Sequence, residues 1–283
     1  MKVISLACYY TAIPLLAMSS VTSLNANVLL DENFTPGERL DQDLPDSSAW
    51  YTAYNGGSSD ASGSLVTDSN RYVISYFTDS GSPASLSMVG DSIDVSISFS
   101  LDTPTASTTG FRIGLFDSGE SRISADNAGF RNSTFEDYTG YGAFLNLQAP
   151  TAMRIEEREA GISDQLINGN EAFTDHTGDV GTGTNFVSGE TYTLEMNLLL
   201  TAGGVQVSVG IDTISGYAYS YLDTSGLKTD FDTIVVFGNS SMDAFTIEQV
   251  TVEAIPEVSS AALATGLVAF SLVACQVRRR RSE

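Results

Sequence analysis

The chain has 283 residues, of which 35 are acidic and 13 basic, giving a formal net charge of −22, with one histidine and two cysteines. So anionic a chain excludes nucleic acid as a partner, because binding it requires clustered Lys and Arg that displace counterions. Both cysteines, Cys8 and Cys275, sit in apolar terminal segments, so disulfides, thiolate zinc sites, iron–sulfur clusters and cysteine nucleophiles are excluded from the stretch between them.

Lys2 precedes a largely apolar run from Val3 to Met18, and small residues follow through Ala26. This order of charge, apolar run and small residues is that of an export signal peptide over residues 1–26. Pro14 and the lack of alternation exclude a first strand there. From residue 27 up to the apolar C-terminal segment, eight basic residues stand against 34 of the acidic ones. Such a surface suits either salty, cation-rich surroundings or the binding of divalent cations.

Residues 27–254 read as one β domain. Ile93, Val95, Ile97, Phe99 and Leu101 alternate with Asp94, Ser96, Ser98 and Ser100, the pattern of a strand with one buried and one wet face. Tyr192, Leu194, Met196, Leu198 and Leu200 repeat it, as do Val205, Val207, Val209 and Ile211. Thr201-Ala202-Gly203-Gly204 joins the last two into a long hairpin. Shorter strands are expected at Val28–Phe34, Arg71–Phe77, Gly110–Phe116, Gly142–Gln148, Ala152–Arg158, Gly216–Leu222, Asp232–Gly238 and Ala244–Glu253. In the last of these, Phe245 and Ile247 set one phase and Val250 and Val252 the other, which places a β-bulge at Glu248-Gln249. A dozen or so evenly spaced strands without an amphipathic helix define an all-β, two-sheet jelly-roll sandwich.

Residues 255–283 form a tail. Ile255-Pro256-Glu257-Val258 and Ser259-Ser260 lead into an uncharged, mostly apolar run at 261–277, followed by Arg278, Arg279, Arg280 and Arg281. At about 1.5 Å per residue the run makes a helix of roughly 25 Å, enough to cross a thin hydrocarbon core. The four arginines would stay cytoplasmic and hold the domain outside. The tail resembles the PEP-CTERM class of bacterial sorting signals, in which Pro-Glu-Pro precedes a single span and an arginine cluster. Pro256 and Glu257 match the first two positions, and Val258 departs from the third. The resemblance implies recognition by an exosortase, transient anchoring in the inner membrane, removal of the span, and delivery to the cell surface or an extracellular polysaccharide matrix.

The domain is also similar to concanavalin A-like, laminin-G-like sandwiches. This likeness is carried by Asp31-Glu32-Asn33-Phe34 with Gly37-Glu38-Arg39, by Arg112-Ile113-Gly114-Leu115-Phe116-Asp117, and by the segment from Phe245 to Glu253. In such sandwiches a structural ion ties the first strand to the last, which the resemblance places at Glu32, Glu38 and Glu248. Asp223, Asp230 and Asp232 flank a turn at Thr224-Ser225-Gly226 and form an alternative oxygen-rich site. Structural Ca2+ is the ion these oxygen donors would suit.

Catalytic signals are absent. Glucan-cleaving jelly rolls place two carboxylates on one strand, and Glu156-Glu157-Arg158-Glu159 comes closest but reads as a solvated strand face. His176 lies in the polar stretch Thr174–Asp179 and reads as a surface-loop histidine, with no Gly-x-Ser-x-Gly elbow in the chain. Tyr217, Tyr219 and Tyr221 share one face at period 2, and Trp50, Tyr51 and Tyr54 cluster elsewhere, both arrangements that could stack sugar rings or edge the core. The sequence thus describes a non-enzymatic, exported surface or matrix protein with a capacity for polysaccharide. The alternative is a secreted polysaccharide hydrolase or lyase on the same fold.

Overall fold

The structure, a computed structural model, describes residues 26–257 apart from 53–57, 61–62, 69, 105–109, 127, 130, 149–152, 162, 168–171, 178–179, 182–184, 215 and 241. The signal segment, the apolar run 261–277 and its arginine cluster lie outside the described residues, as do Tyr54 and Val258. Among the described residues no helix is long and apolar enough to cross a membrane.

Strands are numbered β1 to β17 along the chain. The first sheet runs, edge to edge, β14 (Ala218–Asp223), β13 (Gly204–Ile211), β12 (Thr191–Thr201), β7 (Ser92–Leu101), β17 (Ala244–Ile255), β4 (Leu65–Asp68) and β3 (Ser58–Asp60), with β1 (Asn27–Glu32) also paired to β17. The second runs β11 (Phe173–Asp175), β10 (Met153–Arg158), β9 (Thr139–Leu145), β8 (Phe111–Asp117), β16 (Thr233–Gly238), β5 (Arg71–Tyr76) and β2 (Trp50–Thr52). A short ribbon joins β6 (Ala84–Ser85) to β15 (Asp230–Phe231). All pairings are antiparallel. The molecule is the expected all-β jelly-roll sandwich.

The first sheet obeys the simple alternation. β7 and β13 bury every second residue, and β12 closes on β13 through Ala202-Gly203, with Thr201 paired to Gly204. A Cβ on Gly204 would lie 1.8 Å from the Asp223 carbonyl, at a φ of +139°. Only glycine fits where β14 crosses so closely. On β17 the register shifts between Ile247 and Gln249, and Phe245, Ile247, Val250 and Val252 are all fully buried. The bulge lets one strand keep both phases inside.

The second sheet is covered on both faces. One face meets the first sheet in the main core, and the other packs under loops 118–138 and 159–172 in a second cluster built on Tyr72, Ile74, Phe116, Phe135, Tyr138, Phe144 and Phe237. Its strands are therefore buried almost throughout, including Glu156, Glu157 and Arg158. This corrects the reading of 156–159 as a solvated face at 156–158, while Glu159 does reach the surface. Each charge brings its partners inside: Arg154 pairs with Glu156 at 2.7 Å, while His176 and Lys228 meet Glu157.

Arg158 has no exposed surface. Its guanidinium donates to the carbonyls of Phe135 at 2.7 Å, Ser163 at 2.8 Å and Leu166 at 3.1 Å, and to that of Tyr138. Burial lowers its pKa to about 10, so it keeps its charge at neutral pH. Asp232 does the same work with the opposite sign. Its carboxylate accepts from the Ser118 amide and hydroxyl, from Thr233 Oγ1 and from Arg122 Nη2 at 2.8 Å. Tyr76, whose hydroxyl meets Tyr138 and accepts from the Ile123 amide, is pushed up to about 12, chiefly by burial.

Arg158→Met should cost about 3–5 kcal/mol, because at least four carbonyls lose their donor in a dry site. Arg131→Ala, which removes an exposed pair with Asp164, should cost no more than about 1 kcal/mol. Urea unfolding of the two variants checks this; equal losses would deny Arg158 its role. Acid should act through Asp126, which the Arg39 side chain and the Thr52 amide hold below the usual carboxylate range against the opposing effect of burial. Its stabilisation is fully present above the unfolded-state value of about 3.9 and is lost as pH falls through the lower folded-state value. Asp126→Asn should therefore flatten the stability profile below about pH 4, read from urea midpoints across an acid series.

Candidate functional site

The outer face of the first sheet carries no base. No Lys or Arg occurs on any of its eight strands, and its outward positions are mostly Ser, Thr, Asn, Gln, Asp and Glu, with Leu222, Leu199 and Ile255 in one cross-strand row near the exit of the tail. Near the β14 edge this face forms an open groove of about 640 Å³, lined by Asp94, Glu195, Asn197, Ser208, Gly210, Ala218, Ser220 and Tyr219 among others. Register explains the grouping: Asp94, Asn197, Ser208 and Ser220 follow one another across β7, β12, β13 and β14, and Glu195, Gly210 and Ala218 form a parallel row across β12, β13 and β14. The small residues sink the floor while Asn197, which donates to Asp94, and Glu195, which accepts from Ser96 Oγ at 3.3 Å, stand beside it. The volume is that of a small-ligand site, and its lining offers hydroxyls, one amide and two carboxylates without a base.

The three predicted tyrosines separate. Tyr217 is fully buried and donates to the Asn146 carbonyl. Its carbonyl accepts from the Ile211 amide at 2.8 Å, so it continues the β14 pairing on the inner face that Tyr219 and Tyr221 share opposite Val209 and Val207, and the three differ in depth and not in face; Tyr217 is a core residue and not a sugar platform. Tyr219 is 37% exposed and borders the groove. Tyr221 is half-buried and stacks on His176, with ring centroids 4.5 Å apart and planes within 10°. Trp50 is likewise fully buried, its indole N–H donating to Glu32.

His176 is thus a bridge between sheets and not a loose loop residue. It follows β11, bonds Glu157 Oε2 at 2.7 Å and lies against Tyr221 of β14. Lys228 Nζ lies 3.1 Å from Glu157 Oε1, out of line for a hydrogen bond, and donates to Glu159 Oε2 at 3.0 Å. Burial raises the Glu157 pKa, with the nearby Asp223 charge adding to it and the contacts from His176 and Lys228 opposing. Lys228 is desolvated, yet Glu159 and Glu157 outweigh that and hold its pKa above the ordinary lysine range. A built-in ammonium thus neutralises the acids at this edge.

The two oxygen-rich metal candidates do not converge. Among the described residues no group of three or more His, Cys, Asp or Glu side chains is placed to hold an ion. Glu32 is buried and accepts from the amides of Phe34 and Ser48 and from the Trp50 indole; Glu38 is exposed; Glu248 accepts from Thr191 at 3.0 Å. Asp223 accepts from Tyr141 and Ser225, Asp230 from Ser85, and Asp232 from the Ser118 and Arg122 network. Five of these six carboxylates accept from protein donors of their own and Glu38 stands apart at the surface, so neither set is gathered to hold a calcium ion. Sequence reasoning missed the groove because its floor of Ser, Gly and Ala emerges only from cross-strand register.

No protein-family model and no curated protein sequence matches the chain. Solved structures do. The metal-free carbohydrate recognition domain of Emp46p is similar over 80% of this chain and 94% of that one, with a TM-score of 0.50 and 12% identity. The exoplasmic/lumenal domain of VIP36 in its Ca2+/Man3GlcNAc-bound form follows at 10% identity, 83% and 92% coverage and 0.48. Lectin I-B4 from Griffonia simplicifolia in metal-free form gives 11%, 82% and 99%, and 0.46. At such identities the likeness is one of fold, and the chain is accordingly a lectin-like β-sandwich.

Lys228→Met should cost about 2 kcal/mol after allowance for the exposed half of its partner Glu159, measured by urea unfolding at neutral pH. No loss would mean the acids at this edge are relieved by water instead.

Proposed function

We propose that this is a non-enzymatic exported protein that binds neutral polysaccharide through the groove bordered by β14. The carrying observation is that groove: hydrogen-bonding side chains around a floor of small residues, an exposed tyrosine at its margin, and no base. Sugar hydroxyls can donate to Asp94 and Glu195 and exchange bonds with Asn197, Ser208 and Ser220, while a ring edge meets Tyr219. Two carboxylates without a cation repel uronate, sulfate or phosphate groups, so a neutral glycan is the fitting class. The likeness of the fold to a carbohydrate recognition domain supports the same reading. In the wider proposal the tail acts as a PEP-CTERM-type signal: Pro256, Glu257 and Val258 are presented to an exosortase, the span 261–277 anchors the precursor with Arg278–Arg281 inside, and cleavage frees the domain to the surface matrix.

Titration of residues 27–257 against neutral and uronate-containing polysaccharides should give saturable binding to a neutral member only, with no release of reducing ends or unsaturated products. Tyr219→Ala or Asn197→Ala should weaken it about tenfold, near 1.4 kcal/mol. Binding untouched by both variants would remove the groove, and release of sugar would replace the reading with an enzyme. Intact mass of the product from the native host should lack both termini; retention of Arg278–Arg281 would refute sorting.

A further inference from the structure

Where the chain leaves the sandwich, it is tied down. The Glu257 amide donates to Asp91 Oδ1 at 2.8 Å, and Asp91 Oδ2 accepts from the amides of Ser87 and Met88 at 2.8 and 2.7 Å. Burial alone would raise the Asp91 pKa, but these three N–H bonds hold it below the carboxylate range. The Glu257 side chain lies over Gly90, at the place a Cβ there would take. The exit is thus fixed beside the turn Ser87–Asp91.

That turn is apolar and exposed: Met88 is 46% and Val89 56% accessible. Other exposed apolar residues gather at the same end. Leu222 lies on the cross-strand row Leu222–Gln206–Leu199–Ser92–Ile255, whose last two members flank the clamp. Val28, 39% exposed, pairs with Glu253 two residues before Ile255. Val187 by contrast lies at the far end of β7, where the Gly189 amide bonds the Leu101 carbonyl, about 30 Å away along a ten-residue strand.

We propose that this end of the sandwich is a bilayer-contacting foot, with Met88 and Val89 seated among lipid headgroups while the tail is in the membrane. The inference rests on the reading of 261–277 as a span. Only Val258, Ser259 and Ser260 separate Glu257 from Ala261, and at about 3.3–3.6 Å per residue this tether reaches at most about 14 Å. The headgroup region on each side is itself about 5–8 Å deep. A clamped Glu257 can therefore stand no more than about 6–9 Å above the headgroups, and any slack in the tether brings the turn into them. The charges nearest the turn are acids, Asp91 and Glu257 in the clamp, Asp230 opposite Ser85 and Glu253 opposite Val28, so apolar side chains and not bases make the contact.

The test uses the full chain with Cys8→Ser, reconstituted in phosphatidylethanolamine/phosphatidylglycerol vesicles that carry spin-labelled lipids. A fluorophore is placed at Cys275, or, with Cys275→Ser, at Val89→Cys or Val187→Cys. Quenching at position 89 several-fold above that at 187, together with strong quenching at 275, is the expected result. Equal quenching at 89 and 187 with strong quenching at 275 would overturn the foot and leave the span standing. Absence of quenching at 275 would overturn the span and the foot with it.

Discussion

A sheet buried on both faces is the constraint on which the rest of this structure depends. The second sheet must hold up a layer of loops as well as close the main core, and loops carry backbone carbonyls that have no ladder to bond into. Arg158 resolves this by turning one guanidinium into the donor for segments 135–138 and 163–166. Asp232 accepts from the loop that begins at Ser118. Glu32 organises the amides and indole of the segment that leads into β2. Three buried charges of this kind tie the loops to the sheet through protein donors and acceptors alone.

That arrangement also settles where positive charge goes in so acidic a domain. Arg39, Arg122, Arg131, Arg154 and Lys228 pair with acids on the second sheet or its loops. Arg112 sits between the rings of Phe144 and Phe237, its pKa lowered to about 10 by desolvation. The first sheet receives none. Its outer face is left acidic and hydroxylic, which keeps that face wet and resists edge-on association.

What could be read from the sequence follows from these burial patterns. β7, β12, β13 and the bulged β17 were legible to within two residues, because a sheet with one wet face writes its phase into alternating side chains. The second sheet announces only short apolar runs, and its buried charges look like surface ones until their partners are known. Glu157 is the clearest case, since its partners His176 and Lys228 lie 19 and 71 residues away along the chain. Tyr217 misled for a different reason. Period 2 does place it on one face with Tyr219 and Tyr221, but that face is the inner one, and at Tyr217 the ring lies wholly in the core. The groove was invisible because it belongs to four strands at once.

The central strand β7 connects the two ends of the functional reading. Asp94, at the groove, is only two residues from Ser92, which pairs with Ile255 at the exit of the tail, a separation of about 7 Å along the strand. A domain held by its foot against lipid would therefore present the groove close to the headgroups. The same carboxylates that favour a neutral glycan would also face an anionic leaflet, and the apolar foot offsets that repulsion only while the tail holds it in place. Once the tail is cut, nothing retains the contact: two short side chains are too little apolar area to bind a membrane alone. If the foot and the glycan site both hold, they share the tail-exit half of β7, and cleavage of the tail would give the groove a wider approach.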